Sequence, residues 1–270
     1  MYNVNATRAQ GIPWTRPPAY EKDGTPYFGS DREGDQFDEV DIASWTSGGR
    51  FARRWQTRGT TNAYNNAVYH ALCQKAADTH LPLMEIACGP NMGLLPDILT
   101  LRPEAKVLAT DACPAVIEHW QAFIQTNAPE MNIHFASFNA ADIPLPPNSI
   151  DAITSNIGFS SLRYAGDDQI HGVSEAFRIL KPGGYIFAIE NEFEDKNVIQ
   201  EVFNRWGKTN WFQNDKKTWD ERFTQAGFVI EEKMPHYRRI EITNWELSEA
   251  AARFGLEIVI ASYAHTLRKQ

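Results

Sequence analysis

Glu85, Gly89 and Asp111 are the residues whose types and spacing could do chemistry in this chain. Glu85 lies within Met84-Glu-Ile-Ala-Cys-Gly-Pro-Asn-Met-Gly93, so an acid falls on an apolar strand that ends in a glycine turn. Asp111 closes a second apolar run, Ala105-Lys-Val-Leu-Ala-Thr110, roughly twenty residues beyond the turn, as nucleotide-binding α/β units require. In such a sheet the turn lets the backbone approach a ligand closely, and the second acid accepts hydrogen bonds from ribose hydroxyls. A dinucleotide site would carry three glycines as Gly-x-Gly-x-x-Gly. Here Ala87, Gly89, Asn91 and Gly93 occupy the turn, and no Lys or Arg falls between Glu85 and Leu101. Nothing waits for a pyrophosphate, and an acid on the first strand suits a ligand with a cationic end.

The elements that must position these residues alternate regularly. A strand over 82–87 is followed by a helix with Leu94, Leu95, Ile98 and Leu99 on one face, ending before Pro103. A strand over 105–110 leads to a helix opened by Pro114 that buries Val116, Ile117, Trp120, Phe123 and Ile124. Further strands are expected near 132–138 and 150–155. A helix over 168–180 stops at Pro182-Gly183-Gly184, and a strand over 185–190 follows. Such alternation makes a parallel sheet with right-handed crossovers. Ahead of it, spacing of Tyr64, Val68, Leu72 and Lys75 predicts a helix over 61–77. Residues 1–50, with single aromatics such as Trp14, Tyr20, Tyr27, Phe28 and Trp45, read as an irregular arm or lid with short helical turns. Beyond the alternation come a short helix and an aromatic loop within 192–214, then a helix over 216–226 that ends at Gly227. A strand from Phe228 and a Thr243-Asn-Trp-Glu246 capping box that opens a helix lead to a last strand over 256–263.

Four motifs in this order resemble class I S-adenosylmethionine-dependent methyltransferases: the 84–93 turn, Asp111, Ala140-Ala-Asp-Ile-Pro-Leu-Pro146, and Lys181-Pro-Gly-Gly184 before the strand of residues 185–190. Ile157-Gly-Phe-Ser-Ser-Leu-Arg163 is similar to the Phe-Gly-Leu-Arg stretch of the ubiquinone/menaquinone C-methyltransferases, with two residues added. The resemblance covers about residues 81–192. It implies a Rossmann-like, doubly wound α/β fold whose seven-stranded sheet has six parallel strands and one antiparallel, with helices on both faces. It further implies an arm or lid over 1–60, a methyltransferase domain over 61–270 and a substrate-side insertion over 193–215. S-adenosylmethionine is the implied cofactor. Its positive end would meet Glu85 and the backbone of Ala87, Cys88 and Gly89. Asp111 and Ala112 would hold the ribose, Ala141, Asp142 and Ile143 the adenine, and Asn156 and Ile157 would lie near the sulfonium. Ala87 and Asn91 stand where the family carries glycines; Asn91 is expected to keep the turn because Asn tolerates positive φ.

In-line methyl transfer needs mainly that donor and acceptor be held together, with a general base for hydroxyl or carbon acids. His171 and Glu192 are the candidate bases, followed by His236 and Tyr237. Trp55 and Tyr64 on one side, and Trp206 and Trp211 on the other, are candidate walls for a small aromatic or apolar acceptor. RNA or protein methylation, and a non-methylating S-adenosylmethionine binder, are the alternatives. A net charge of −8 argues against nucleic acid as partner, because a nucleic-acid footprint is basic. Three cysteines, at 73, 88 and 113, show no metal or disulfide spacing, so no metal is expected. No apolar run approaches ~18 residues and the N-terminus lacks an apolar leader core, so a cytoplasmic protein without a membrane span is expected.

Overall fold

The computed structural model describes residues 11–29, 37, 39–47, 51–58, 67–162, 168–207, 217–242 and 245–270. A hairpin of β1 (Tyr20–Lys22) and β2 (Thr25–Tyr27) is followed by helices α1 (Glu39–Thr46), α2 (Arg53–Thr57) and α3 (Ala67–Asp78). The alternating part then runs β3 (Leu83–Ile86), α4 (Leu95–Leu101), β4 (Val107–Asp111), α5 (Pro114–Asn127), β5 (Ile133–Ser137), β6 (Ile150–Asn156), α6 (Asp168–Ile179) and β7 (Leu180–Phe193). It ends with α7 (Lys196–Trp206), α8 (Trp219–Ala226), β8 (Phe228–Ile240), α9 (Trp245–Arg253) and β9 (Val259–Lys269).

Among the described residues, nine strands join one sheet in the order β1-β2-β5-β4-β3-β6-β7-β9-β8. β3 to β7 are parallel, and β9 lies antiparallel between β7 and β8. The strand order turns back at β3 and β6, which places the ligand crevice of such a sheet at their carboxyl ends. These seven strands are the sheet expected from the sequence; the hairpin adds two more. β2 pairs parallel with the outer edge of β5 at Tyr27 and Ser137, covering backbone groups that would otherwise be open to another chain. Residues 20–27 are therefore strand, not the irregular arm with helical turns expected there. Their local sequence, Tyr-Glu-Lys-Asp-Gly-Thr-Pro-Tyr, has the β-aromatics and Asp-Gly turn of a hairpin.

Period-two alternation divides the parallel strands between two cores. Leu83, Val107, Ala109 and Ala152 face α3, α4 and α5, where Leu72, Ile98 and Trp120 are fully buried. Met84, Leu108 and Ile153 face α6 and α8 with Val173, Ala176 and Phe223. A third cluster joins α7 to α9 through Val202, Phe203, Leu247 and Ala250. α8 begins one turn later than expected, on a capping box of Thr218 with Glu221. β7 starts at Leu180, and its register shifts between the pairings of Ile150 and Ala152. Lys181-Pro-Gly-Gly184 is thus an irregular strand entry; Gly184 is needed because a Cβ there would lie 2.7 Å from the Asp151 carbonyl.

Candidate functional site

The 87–94 turn leaves β3 in an unusual backbone path. Ala87, Gly89, Met92 and Gly93 all adopt positive φ, at 51°, 55°, 62° and 57°. The left-handed conformation expected at Asn91 falls on Met92 instead. Asn91 sits in a 3-10 turn (Gly89–Asn91), and its side-chain Oδ1 accepts the Arg54 backbone N–H at 3.2 Å. Because a left-handed L-residue costs roughly 1–2 kcal/mol, Ala87 and Met92 persist only where surrounding contacts hold them. Those contacts are present. The Trp120 indole N–H donates to the Gly89 carbonyl at 2.8 Å, Cys88 N–H to the Thr110 carbonyl at 2.8 Å, and Ala52 N–H to the Pro90 carbonyl at 2.9 Å. A buried ion pair of Arg54 with Asp97, 2.7 Å apart, fixes α2 against the turn, and the Tyr69 ring stacks under the Arg54 guanidinium.

Glu85 lies beneath this turn, fully buried. Its Oε2 accepts from Thr154 Oγ1 at 2.5 Å and from Leu94 N–H at 3.4 Å. Its Oε1 has no hydrogen-bond partner. Gly93 permits this arrangement, since a Cβ there would lie 1.8 Å from that Oε1. Burial pushes the carboxyl up to about 8, against the lowering effect of the Thr154 hydroxyl and of the Leu94 and Asn156 backbone N–H groups, and the nearby Glu190 adds to the rise. A buried carboxyl with one oxygen left without a donor, under a turn whose backbone path is held open by Gly89 and Gly93, would fit the ammonium end of a ligand, which would supply the missing donor and favour the charged form.

At the end of β4, Asp111 Oδ2 accepts from Gly89 N–H at 2.8 Å and Oδ1 from Cys113 N–H at 2.9 Å. The carboxylate ties the turn to the start of α5 without capping that helix, and each oxygen keeps a further lone pair for a hydroxyl. Burial raises its pKa. Ala112 beside it is half-buried, with its carbonyl 3.3 Å from Ser137 Oγ. The loop after β5 departs from expectation. Ile143 is 2% exposed and packs into the α6–α8 core, with its N–H on Glu175 and its carbonyl taken by Arg178. The Asp142 carboxylate is exposed but held bidentately by Arg16 at 2.9 and 2.8 Å. Ala141 is half-buried, and its N–H caps on Asn139 Oδ1 at 2.7 Å.

Asn156 ends β6, half-buried, and Ile157 follows with φ 63°, an outlier for a β-branched residue. Ile157 N–H is locked on the Ile189 carbonyl at 2.6 Å. Sequence reasoning overlooked Glu190, which stands at the carboxyl end of β7 fully buried beside this loop. Its one legible signal is the one that marked Glu85: a lone acid closing an apolar strand.

The acceptor-side expectations fare unevenly. Trp55 is 3% exposed and packs against Trp120 and Phe123, so it braces the cofactor turn and lines no surface. Trp206 stacks on Phe203 and packs, partly buried, against the α7–α9 cluster. Tyr64 and Trp211 lie outside the described residues. His171 is exposed on α6. Glu192 Oε2 accepts the Trp219 N–H at 3.4 Å at the start of α8. The two are not brought together by any shared contact. His236 is half-buried, and desolvation lowers it to about 4. The described residues hold no group of three or more His, Cys, Asp or Glu able to bind a metal, and no helix long and apolar enough to cross a membrane. Cys73, Cys88 and Cys113 are buried, and no disulfide forms among the described residues.

Residues 84–188 match the family model described as a methyltransferase domain. The chain is 26% identical over 180 residues to a demethylmenaquinone methyltransferase of Lactococcus lactis, a stretch of 58% of this chain and 69% of that protein. It is 32% identical over 75 residues to the ubiquinone/menaquinone biosynthesis C-methyltransferase UbiE of Brucella canis, covering 28% of this chain and 26% of the relative. Among solved structures, a candidate methyltransferase from Bacillus halodurans superposes with a TM-score of 0.54 at 18% identity, over 74% of this chain and 98% of that one. That likeness speaks to the fold.

Proposed function

Because the chain carries a class I S-adenosylmethionine-dependent methyltransferase domain, we propose that it methylates a small aromatic or apolar acceptor of the quinol type. The observation that carries the reading is the unsatisfied, buried Glu85 Oε1 against Gly93. When bound, S-adenosylmethionine supplies an electrophilic methyl group. Glu85 holds the ammonium end, the backbone of Ala87 to Gly89 lines the path beside it, and Asp111 takes the ribose hydroxyls with its free lone pairs. Ala141 and Asp142 border the adenine, Asp142 after exchanging Arg16 for the base. Asn156 and Ile157 border the reacting centre. Methyl transfer then depends on how closely the chain holds the acceptor over the carboxyl ends of β6 and β7, since orientation alone can contribute about 7–11 kcal/mol. His171 is the candidate base for the acceptor proton, and Glu192 a second once released from Trp219. Residues 61–270 act as the transfer domain, with 193–215 as its acceptor-side insertion, while β1, β2 and α2 of the preceding segment extend the sheet and brace the core.

The two relatives named for quinone methylation support the acceptor class. The test is transfer of label from methyl-labelled S-adenosylmethionine to a short-chain demethylated naphthoquinol, alongside calorimetry with S-adenosylhomocysteine. Binding with turnover is expected. Binding without turnover on any quinol would remove the acceptor class while leaving the cofactor site standing.

A further inference from the structure

The loop that leaves β6 is held by a carboxyl on the face of the sheet opposite Glu85. Thr154 and Ser155 are successive residues of β6 and point to opposite faces. Thr154 Oγ1 donates to Glu85, and Ser155 Oγ donates to Glu190 Oε1 at 2.7 Å. Glu190 gathers three more donors from the loop itself: Phe159 N–H on Oε1 at 3.2 Å, and Ser160 N–H and Oγ on Oε2 at 2.9 and 2.5 Å. Gly158 N–H closes on Ser155 Oγ at 3.1 Å, and a Cβ at Gly158 would lie 2.5 Å from the Ile86 carbonyl. The short loop from Asn156 to Ser160 thus has one path, forced through left-handed Ile157 and anchored at its far end on a single side chain. Both carboxylate oxygens of Glu190 are saturated by protein groups, so it is placed to shape the loop and not to bind a ligand.

From this geometry we propose that Glu190 is a positioning residue for methyl transfer, clamping the 156–160 loop so that Asn156 and Ile157 present a fixed edge to the reacting centre. The inference rests on the reading of the preceding section for the place of that centre. Glu190 does not touch the acceptor or the cofactor; it acts through Phe159 and Ser160. Replacing it by Gln keeps the volume and one acceptor oxygen but turns an amide NH2 toward the Ser160 N–H, which cannot reverse its polarity.

The experiment compares wild type, Glu190→Gln and Ser160→Ala in the full chain. Four readouts are taken: amide hydrogen exchange, melting temperature, S-adenosylhomocysteine affinity, and kcat with acceptor KM. Glu190→Gln is expected to expose the Phe159 and Ser160 amides to exchange at least about tenfold faster and to lower kcat about 10- to 100-fold, as expected when reacting groups lose about an ångström of alignment. Affinity for S-adenosylhomocysteine should stay within about threefold, because the Glu85 end is intact. Ser160→Ala, which keeps both backbone donors, should retain most of kcat and of the protection. The proposal is overturned if Glu190→Gln leaves exchange and kcat unchanged. It is equally overturned if Ser160→Ala loses as much as Glu190→Gln, or if the two variants lose cofactor affinity and melting temperature in parallel, which marks Glu190 as core alone. Exchange and affinity need no acceptor, so a wrong acceptor class, seen as no turnover by wild type, leaves these two arms able to decide.

Discussion

At Glu85 the structure ties chemistry to a proton. A carboxyl lifted to about 8 is protonated in the free protein at neutral and mildly acidic pH, whereas one paired with an ammonium is ionised. Binding of S-adenosylhomocysteine at about pH 6.5 should therefore release close to one proton, read as a dependence of the calorimetric enthalpy on buffer ionisation. Glu85→Gln should abolish that dependence and weaken binding; an unchanged proton count in the variant would exclude Glu85 as the partner of the amine. The neighbouring turn makes two opposite predictions. Ala87→Gly relieves a left-handed alanine worth about 1–2 kcal/mol but adds about 0.4–1 kcal/mol of unfolded-state freedom. It should stabilise the protein by up to about 1 kcal/mol in urea unfolding. Gly93→Ala drives a methyl into a carboxyl that has no room to move. It should cost more than about 2 kcal/mol and abolish cofactor binding.

Among the elements, α2 and the N-terminal segment serve the site indirectly. α2 carries Trp55 into the cluster with Trp120, whose indole holds the Gly89 carbonyl. Trp55→Ala should lower stability by about 3–5 kcal/mol, where a residue lining an acceptor surface would change KM and leave unfolding alone. The segment before β1 lies along the loop after β5. Trp14 packs 4.9 Å from Phe28, Thr15 N–H bonds the Pro144 carbonyl, and Arg16 grips Asp142. This exposed pair is worth at most about 1 kcal/mol to stability. Arg16→Ala should accordingly leave melting nearly unchanged. If Asp142 serves the adenine amino group, the variant should tighten S-adenosylhomocysteine binding a few-fold by removing the competitor, and no change in affinity would show that Asp142 is not in the site.

For the whole molecule, buried acids and a half-buried histidine pull stability in opposite directions with pH. Glu85 and Glu190, raised by burial from 4.5 to about 8 and about 7, contribute stability in acid that is lost as pH rises through those values. His236, lowered by burial from 6.5 to about 4, contributes stability above 6.5 that is lost as pH falls toward 4. On the proposed reading, cofactor binding would supply Glu85 with a cation and offset its share of the alkaline loss. The gain in melting temperature given by S-adenosylhomocysteine should thus grow between about pH 6 and about pH 7.5, and scanning fluorimetry of wild type and Glu85→Gln checks it, the variant showing a flat gain.

What the sequence determined by itself is local or strongly periodic. The strand–helix alternation, the acid–turn–acid order of Glu85, Gly89 and Asp111, and the helix stops at Gly227 and Gly255 follow from hydrophobic period and from residues with one conformational use. Only tertiary structure decided which residues share a partner across the chain. Arg16 meets Asp142 over 126 positions, and Glu190 meets Ser155 over 35; no local pattern encodes either. Trp55 looks like a site aromatic in one dimension because an aromatic side chain suits a core as well as a cleft, and burial alone separates the two. The left-handed turn shows the same limit from the other side. Glycine at 89 and 93 announces it, but Ala87, Met92 and Ile157 enter that conformation only because buried hydrogen bonds and packing from other elements outweigh their local preference.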